Sequence, residues 1–325
     1  MNGQFVISLD FEKIWGVFDV IPSNGDYIEN IECVDLVIGK LLELSSKYNI
    51  KLTFSTVGFL FNKNKEEFSA NTPHELPNYS IKKFDPYPLI KDIKDSEDLD
   101  NLHYGYQSLI KIASQDQHEI GTHTYCHYYC LEEGQTIEQF EADLKMAKKV
   151  ASNLNIKTQS IVFPRNQINN DYLKSCFDNG IIAYRGFEDH AIYRSYSENK
   201  PSKLSHRAMR FIDSFVNITG EHTYNLKDLR SSSIVNLPAS RFLRPYSKKL
   251  KFLEPLKINR VTKAMKKAAK NNELYHLWWH PHNFGTHMEE NFEGLEKIFK
   301  TFEQLHKSHN FTSSTMTELA NRLKK

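Results

Sequence analysis

Short apolar runs recur along the chain, separated by longer stretches in which apolar residues return every three or four positions. The runs are Phe5 to Asp10 (FVISLD), Ile50 to Gly58 (IKLTFSTVG), His118 to His123 (HEIGTH) and Ser160 to Arg165 (SIVFPR). Ile181 to Arg185 (IIAYR), Ser233 to Pro238 (SIVNLP) and Leu274 to His280 (LYHLWWH) follow. Most are β-branched or aromatic and apolar on both faces, which suits parallel strands covered on each side. Between them, Cys33 to Tyr48 and Ile137 to Leu154 carry helical spacing, and Thr315 with Glu318 forms a capping box before a last helix. Strands alternating with helices predict an α/β fold built on a parallel sheet or barrel. The polar, proline-dotted segment 62–101 is longer than an ordinary connection and reads as a lid or insertion. No linker stands out, so the pattern favours a single domain, 1–325, with insertions.

Ionisable residues fall at the ends of these runs. Asp10 and Glu12 close the first, His123 the third, Arg165 the fourth and His280 the last. Any one of them reads most simply as a strand meeting water. Together, at the carboxyl ends of parallel neighbours, they would converge on the face where catalytic groups collect in α/β barrels. His123 and His127 are four apart, so one helical turn would bring them about 5–6 Å from each other at Cβ. Two imidazoles at that spacing can share one ion at about 2.0–2.1 Å, but a third ligand and an open position are then required. Asp10 and Glu12, two apart on a strand, point the same way. One suits a metal ligand and the other a base toward water.

Arg165 can grip a neighbouring carboxylate with two hydrogen bonds or form an ordinary surface salt bridge. His280 suits a general acid, with His282 as competitor, and either fits equally a structural histidine. Trp278, Trp279, Trp15 and the tyrosines near His127 are candidates for stacking on a sugar ring or for the core.

Charge and cysteine content narrow the reading. With 42 basic and 40 acidic residues, the net charge of +2 argues against a general nucleic-acid binder. Four cysteines in 325 residues give no disulfide framework and favour a reducing compartment. Cys126 and Cys130 lack a second cysteine pair to complete a structural zinc site, and inert buried thiols fit better. The start, MNGQFVISLDFE, shows no basic region and no long apolar run, so a cytoplasmic location is expected. The segment 241–270 is strongly basic, and Ile258, Val261, Met265 and Ala268 form an apolar stripe within it. A basic amphipathic helix suits an anionic membrane face or a phosphate-bearing substrate; a solvated charged face is the plainer alternative.

SLDFE, KLTFSTVG, HEIGTHTYCH, FPRNQ and LWWH occur in the order found in the polysaccharide deacetylase family, the NodB-homology domain of carbohydrate esterase family four. The chain resembles that family from about Phe5 to His280. The resemblance implies a distorted (β/α) barrel with about seven strands, and a metal-dependent hydrolase that removes N-acetyl groups from amino sugars, usually with zinc. It places the base on Asp10, metal ligands on His123 and His127, the base-tethering arginine on Arg165 and the acid on His280. Glu12 then becomes the third ligand, the exchange of Asp10 and Glu12 being the alternative. Three departures stand out. Phe11 separates two acids that are usually adjacent, Pro164 precedes the arginine it usually follows, and the fourth motif has only AYRGFEDH as a counterpart.

A cytoplasmic deacetylase would not meet a finished cell wall, so a lipid-linked or nucleotide-linked sugar on its way to a surface glycan is the expected substrate. The alternatives are a deformylase or cyclic-imide hydrolase of the same fold, a non-catalytic carbohydrate binder, and a zinc-stabilised interaction protein.

Overall fold

The computed structural model describes residues 1–21, 25, 27–198 and 204–324. Every one of the seven apolar runs contains a strand. They are β1 (Gln4–Phe11), β2 (Thr53–Thr56), β3 (Glu119–Thr122), β4 (Ser160–Ile161), β5 (Ala183–Tyr184), and, skipping the short β6 (Tyr224–Asn225), β7 (Val235–Asn236). After β8 (Arg241–Phe242) come β9 (Glu273–Trp279) and β10 (Thr312–Ser313).

The order β9-β1-β2-β3-β4-β5-β7 is parallel throughout, while β6 pairs antiparallel with β9. The residues from Val235 to Leu243 then turn the sheet back on itself. Val235, Leu237 and Ala239 donate to the backbone of Ile182, Tyr184 and Gly186, whereas Ser240 and Leu243 donate to His276 and Trp278. One segment therefore links β5 to β9, giving the distorted α/β barrel that the resemblance implied, where the pattern alone predicted a parallel sheet or barrel.

All eight residues of β1 are buried, because β1 is hydrogen-bonded on one side to β9 and on the other to β2 and β10. Its Phe5, Ile7, Leu9 and Phe11 join the main core cluster with Phe54, Ile120, Phe163 and Trp279, while Val6 packs in a second cluster. The helices Val34–Lys47 and Ile137–Ser152 match the helical spacing, and with Met288–His309 they bury their apolar faces on the same core.

Two expectations change here. The apolar stripe of segment 241–270 does not face outward: Val261, Met265 and Ala268 are buried, and Ile258 packs against the core. The helix Glu254–Asn271 lays this stripe on β9 and on the helix Met288–His309, and Lys263, Lys266, Lys267 and Lys270 form its solvated face. The helix within the basic segment thus packs its apolar stripe on the core rather than presenting it as an exposed amphipathic surface. The long insertion is also anchored. Tyr79 and Phe84 from it form a small buried cluster with Tyr129, and the Tyr129 N–H donates to the Tyr79 hydroxyl at 2.8 Å.

The final helix, Met316–Leu323, opens on the expected capping box. The Glu318 N–H donates to Thr315 Oγ1, and the Thr315 N–H donates to Glu318 Oε2, each at 3.2 Å. Thr315→Ala is expected to lower the unfolding free energy by about 1 kcal/mol in urea denaturation; an unchanged midpoint would show that the cap contributes nothing.

Candidate active site

The strand ends that carry polar residues do converge. β1 leaves the sheet through Glu12, β3 through His123, β5 through Arg185 and β9 through His280. The backbone turns sharply as it departs. Lys13, Thr124, His127, Arg165 and Asn166 all take left-handed φ angles, between +46° and +64°. Non-glycine residues in that region are strained, and such strain gathers at functional sites.

Glu12, His123 and His127 meet at one point. Glu12 Oε2 lies 3.3 Å from His123 Nε2 and 3.2 Å from His127 Nε2. Among the described residues this is the one group of three or more ligating side chains that fits a metal ion, its ligand atoms all lying within 4.8 Å of one another. His123 donates through Nδ1 to the Val162 carbonyl at 2.8 Å, which fixes its ring with Nε2 toward the Glu12 carboxylate. An imidazole nitrogen and a carboxylate oxygen facing each other at 3.3 Å repel unless a cation or proton lies between them. The donor set of two imidazoles and one carboxylate is therefore chemically suited to a divalent ion.

The loop bearing the histidines is not the helical turn that the four-residue spacing suggested. Asp143, on the helix Ile137–Ser152, accepts the N–H groups of Tyr125 at 2.6 Å and Cys126 at 3.0 Å. Burial pushes its carboxyl up to about 6 despite these bonds. Thr124 Oγ1 accepts from the Tyr128 N–H at 2.7 Å. These side-chain contacts replace helical hydrogen bonds and still bring the two rings to 5.0 Å.

Asp10 is held differently. Arg185 grips it with two hydrogen bonds, Nη1 to Oδ1 at 2.7 Å and Nη2 to Oδ2 at 2.8 Å. Burial alone would raise the Asp10 carboxyl, but the Arg185 charge and bonds, with His123 and His280, hold it below its ordinary value. Glu12 is held well below its ordinary value as well, burial being outweighed by His280, His123 and His127. Arg185 is fully buried, and both its terminal nitrogens are hydrogen-bonded. It donates to Ser8 Oγ at 3.0 Å and Asn166 Oδ1 at 2.9 Å, and its guanidinium lies 4.1 Å from the Trp278 ring centre. Ser8 in turn meets His276 Nε2 at 2.8 Å, and His276 donates through Nδ1 to the Leu237 carbonyl. Burial, with Arg185 adding to it, brings His276 down to about 3, so this histidine stays neutral and accepts the Ser8 proton.

Arg165 is thus not the arginine that tethers Asp10. It pairs with the buried Asp19 and lies over the Tyr129 ring at 4.4 Å. The left-handed turn at Arg165 and Asn166 presents Asn166, not Arg165, to the Asp10 cluster. Trp279 and Trp15 are fully buried in the core, and Tyr125, Tyr128 and Tyr129 are buried too, so none offers a face to a sugar. His282 is buried beneath His280, their rings stacked at 5.0 Å, and burial, followed by His280, lowers it to about 3. Cys126 and Cys130 are buried free thiols, which burial pushes well up.

His280 and Trp278 do reach open space. The His280 side chain is 24% exposed, with Nε2 at 3.7 Å from Asp10 Oδ2 and 3.6 Å from Glu12 Oε1. Asn283 Oδ1 lies 3.3 Å from His280 Nδ1 and anchors the ring, while Asn283 donates to the Tyr27 hydroxyl at 2.8 Å. Trp278 and His280 both line a cavity of about 360 Å3.

The polysaccharide deacetylase family profile matches residues 12–183, more than half of the chain. No curated protein matches it. Among solved structures, a Mycobacterium smegmatis protein named as a polysaccharide deacetylase superposes with a TM-score of 0.62 at 14% identity, over 98% of this chain and 89% of its own. Puue allantoinase gives 0.54 at 10% identity, again over 98% and 89%. A Pseudomonas aeruginosa PAO1 protein named as a polysaccharide deacetylase gives 0.51 at 11%, with the same coverage. Likeness at such identities speaks for the fold alone.

One residue without functional atoms shapes the site. A Cβ on Gly16 would lie 2.0 Å from both Cδ and Oε1 of Glu12, so only glycine leaves the carboxylate room to face the histidines. Gly16→Ala is expected to weaken divalent-ion binding by about 10–100-fold in a chelator-competition titration. Unchanged affinity would mean that Glu12 takes no part in holding the ion.

Proposed function

Since the chain belongs to the polysaccharide deacetylase family, we propose that it is a metal-dependent hydrolase of N-acetylated amino sugars. It acts as one catalytic domain on a glycan, a glycolipid or a nucleotide-linked precursor of a surface polysaccharide. The observation that carries this reading is the division of labour between two carboxylates two residues apart. Glu12 faces two imidazole nitrogens, while both oxygens of Asp10 are taken by Arg185.

Glu12, His123 and His127 would hold a divalent ion, and zinc suits two imidazoles and a carboxylate. When bound, such an ion supplies Lewis acidity toward the amide carbonyl and acidifies water. The protein's own groups do the rest. Asp10, kept ionised by Arg185, accepts the proton of the attacking water as the C–O bond forms. Arg185, fixed by Ser8, Asn166 and the Trp278 ring, keeps that carboxylate from rotating away. His280, at the open side and within 3.7 Å of Asp10, donates a proton to the amine as the C–N bond breaks. Trp278 is the tryptophan placed to meet the sugar.

Among the described residues no helix is long and apolar enough to cross a membrane. We place the protein in the cytoplasm, in keeping with its free cysteines.

Acetate release from N-acetylated sugar substrates, measured with zinc present, tests this directly. Asp10→Asn should slow turnover by about 10²–10⁴-fold. Arg185→Gln should shift the acid limb of the pH–rate profile upward, whereas Arg165→Gln should leave that limb in place. Full activity in Asp10→Asn, or equal profiles for the two arginine variants, would contradict the assignment.

A further inference from the structure

The cavity beside His280 has an unusual lining. Five arginines, Arg165, Arg194, Arg210, Arg241 and Arg244, face one carboxylate, Glu188. Two of the arginines are already neutralised: Arg165 pairs with Asp19, and Arg241 pairs with Asp213 at 2.9 Å. Among the described residues, no carboxylate lies within ion-pair distance of Arg194, Arg210 or Arg244. Arg244 spends only Nε, which donates to Ser214 Oγ at 2.7 Å; Arg210 donates through Nη1 to the Ile192 carbonyl at 2.7 Å. Ser214 Oγ donates to the Arg210 carbonyl at 2.9 Å, so the two arginines are joined through one residue. Burial lowers both guanidinium groups, the direction expected of partly enclosed cations, and at Arg210 Tyr193 and Glu188 offset it only in part. Enclosing such cations costs free energy unless an anion joins them.

An aromatic wall connects these cations to the catalytic groups. Phe242 lies 4.7 Å from Trp278 and 5.9 Å from His280, centroid to centroid, and Trp278 lies 5.7 Å from His280. Arg244 follows Phe242 by two residues. A sugar ring on Phe242 and Trp278 would thus have its acetamide at His280 and its far side at Arg210 and Arg244.

We infer that this arginine-lined cavity is a subsite for a phosphate group carried by the amino sugar, with Arg210 and Arg244 as its ligands. Guanidinium groups match phosphate oxygens with paired hydrogen bonds, which a neutral sugar would leave unmade. The inference rests on the deacetylase reading for the sugar itself. It moves phosphate recognition from the basic helix to the mouth of the catalytic site.

The test uses the zinc-loaded full chain and three probes: N-acetylglucosamine linked to a nucleoside diphosphate, the same sugar linked to a prenyl diphosphate, and its neutral methyl glycoside. Calorimetric affinity and kcat/KM are measured for each, in wild type and in R210Q/R244Q. A phosphate-bearing probe should exceed the neutral one by about tenfold or more. The double substitution should erase most of that ratio, and the better of the two phosphate probes identifies the carrier. Equal affinity for all three in wild type, or a ratio that survives the double substitution, would overturn the subsite. If no probe releases acetate while phosphate-dependent binding persists and is lost in R210Q/R244Q, the subsite stands and the deacetylase reading falls.

Discussion

Asp10 and Glu12 are buried carboxylates on consecutive same-facing positions at the end of one strand, and the surrounding structure exists to keep both ionised. Left alone, each would take up a proton rather than remain charged out of water. Arg185 answers Asp10 with a paired guanidinium, and the imidazoles of His123 and His127 answer Glu12. Removing one partner of such a buried pair costs about 3–5 kcal/mol, because the other is left uncompensated. The constraint reaches far: Ser8, His276 and the Leu237 carbonyl form a relay whose effect is to orient Arg185. Gly16 leaves the space that Glu12 fills. The strained turns after β1, β3 and β4 are the means by which side chains from separate strands reach one point.

The parallel sheet was legible because its strands are apolar on both faces, and every predicted run contains one. Glu12, His123, Asp10 and His280 were legible for a related reason, since each interrupts or ends an otherwise apolar run, and His127 was legible from its spacing to His123. The arginine was not. Arg165 and Arg185 both follow apolar strands, and strand alternation does not tell which neighbour's end will lie beside β1's. That depends on left-handed turns at Arg165 and Asn166; Asn166 tolerates such a turn, but nothing in Arg165 signals it. Trp279, Trp15 and the tyrosines show the other limit. An aromatic beside a catalytic residue is as suited to the core as to a ligand, and alternation along β9 sends Trp279 inward while Trp278 meets the cavity.

The basic segment 241–270 illustrates how charge pattern misleads when taken as a single surface. Its arginines divide between roles: Arg241 and Arg260 pair with Asp213 and Glu221, while Arg244 faces the cavity. Its lysines are mostly solvated. What the sequence shows as one run of charge is, in the fold, part scaffold, part surface and part of the wall beside His280.

Glu12, rather than Asp10, would complete a metal centre with His123 and His127. Diffraction from zinc-soaked crystals at the zinc absorption edge distinguishes the two carboxylates. One anomalous peak about 2.0–2.2 Å from Glu12 Oε2 and from Nε2 of both histidines, with Asp10 still paired to Arg185, is the predicted result. A peak ligated by Asp10, one at Cys126 or Cys130, or none near these residues would contradict it.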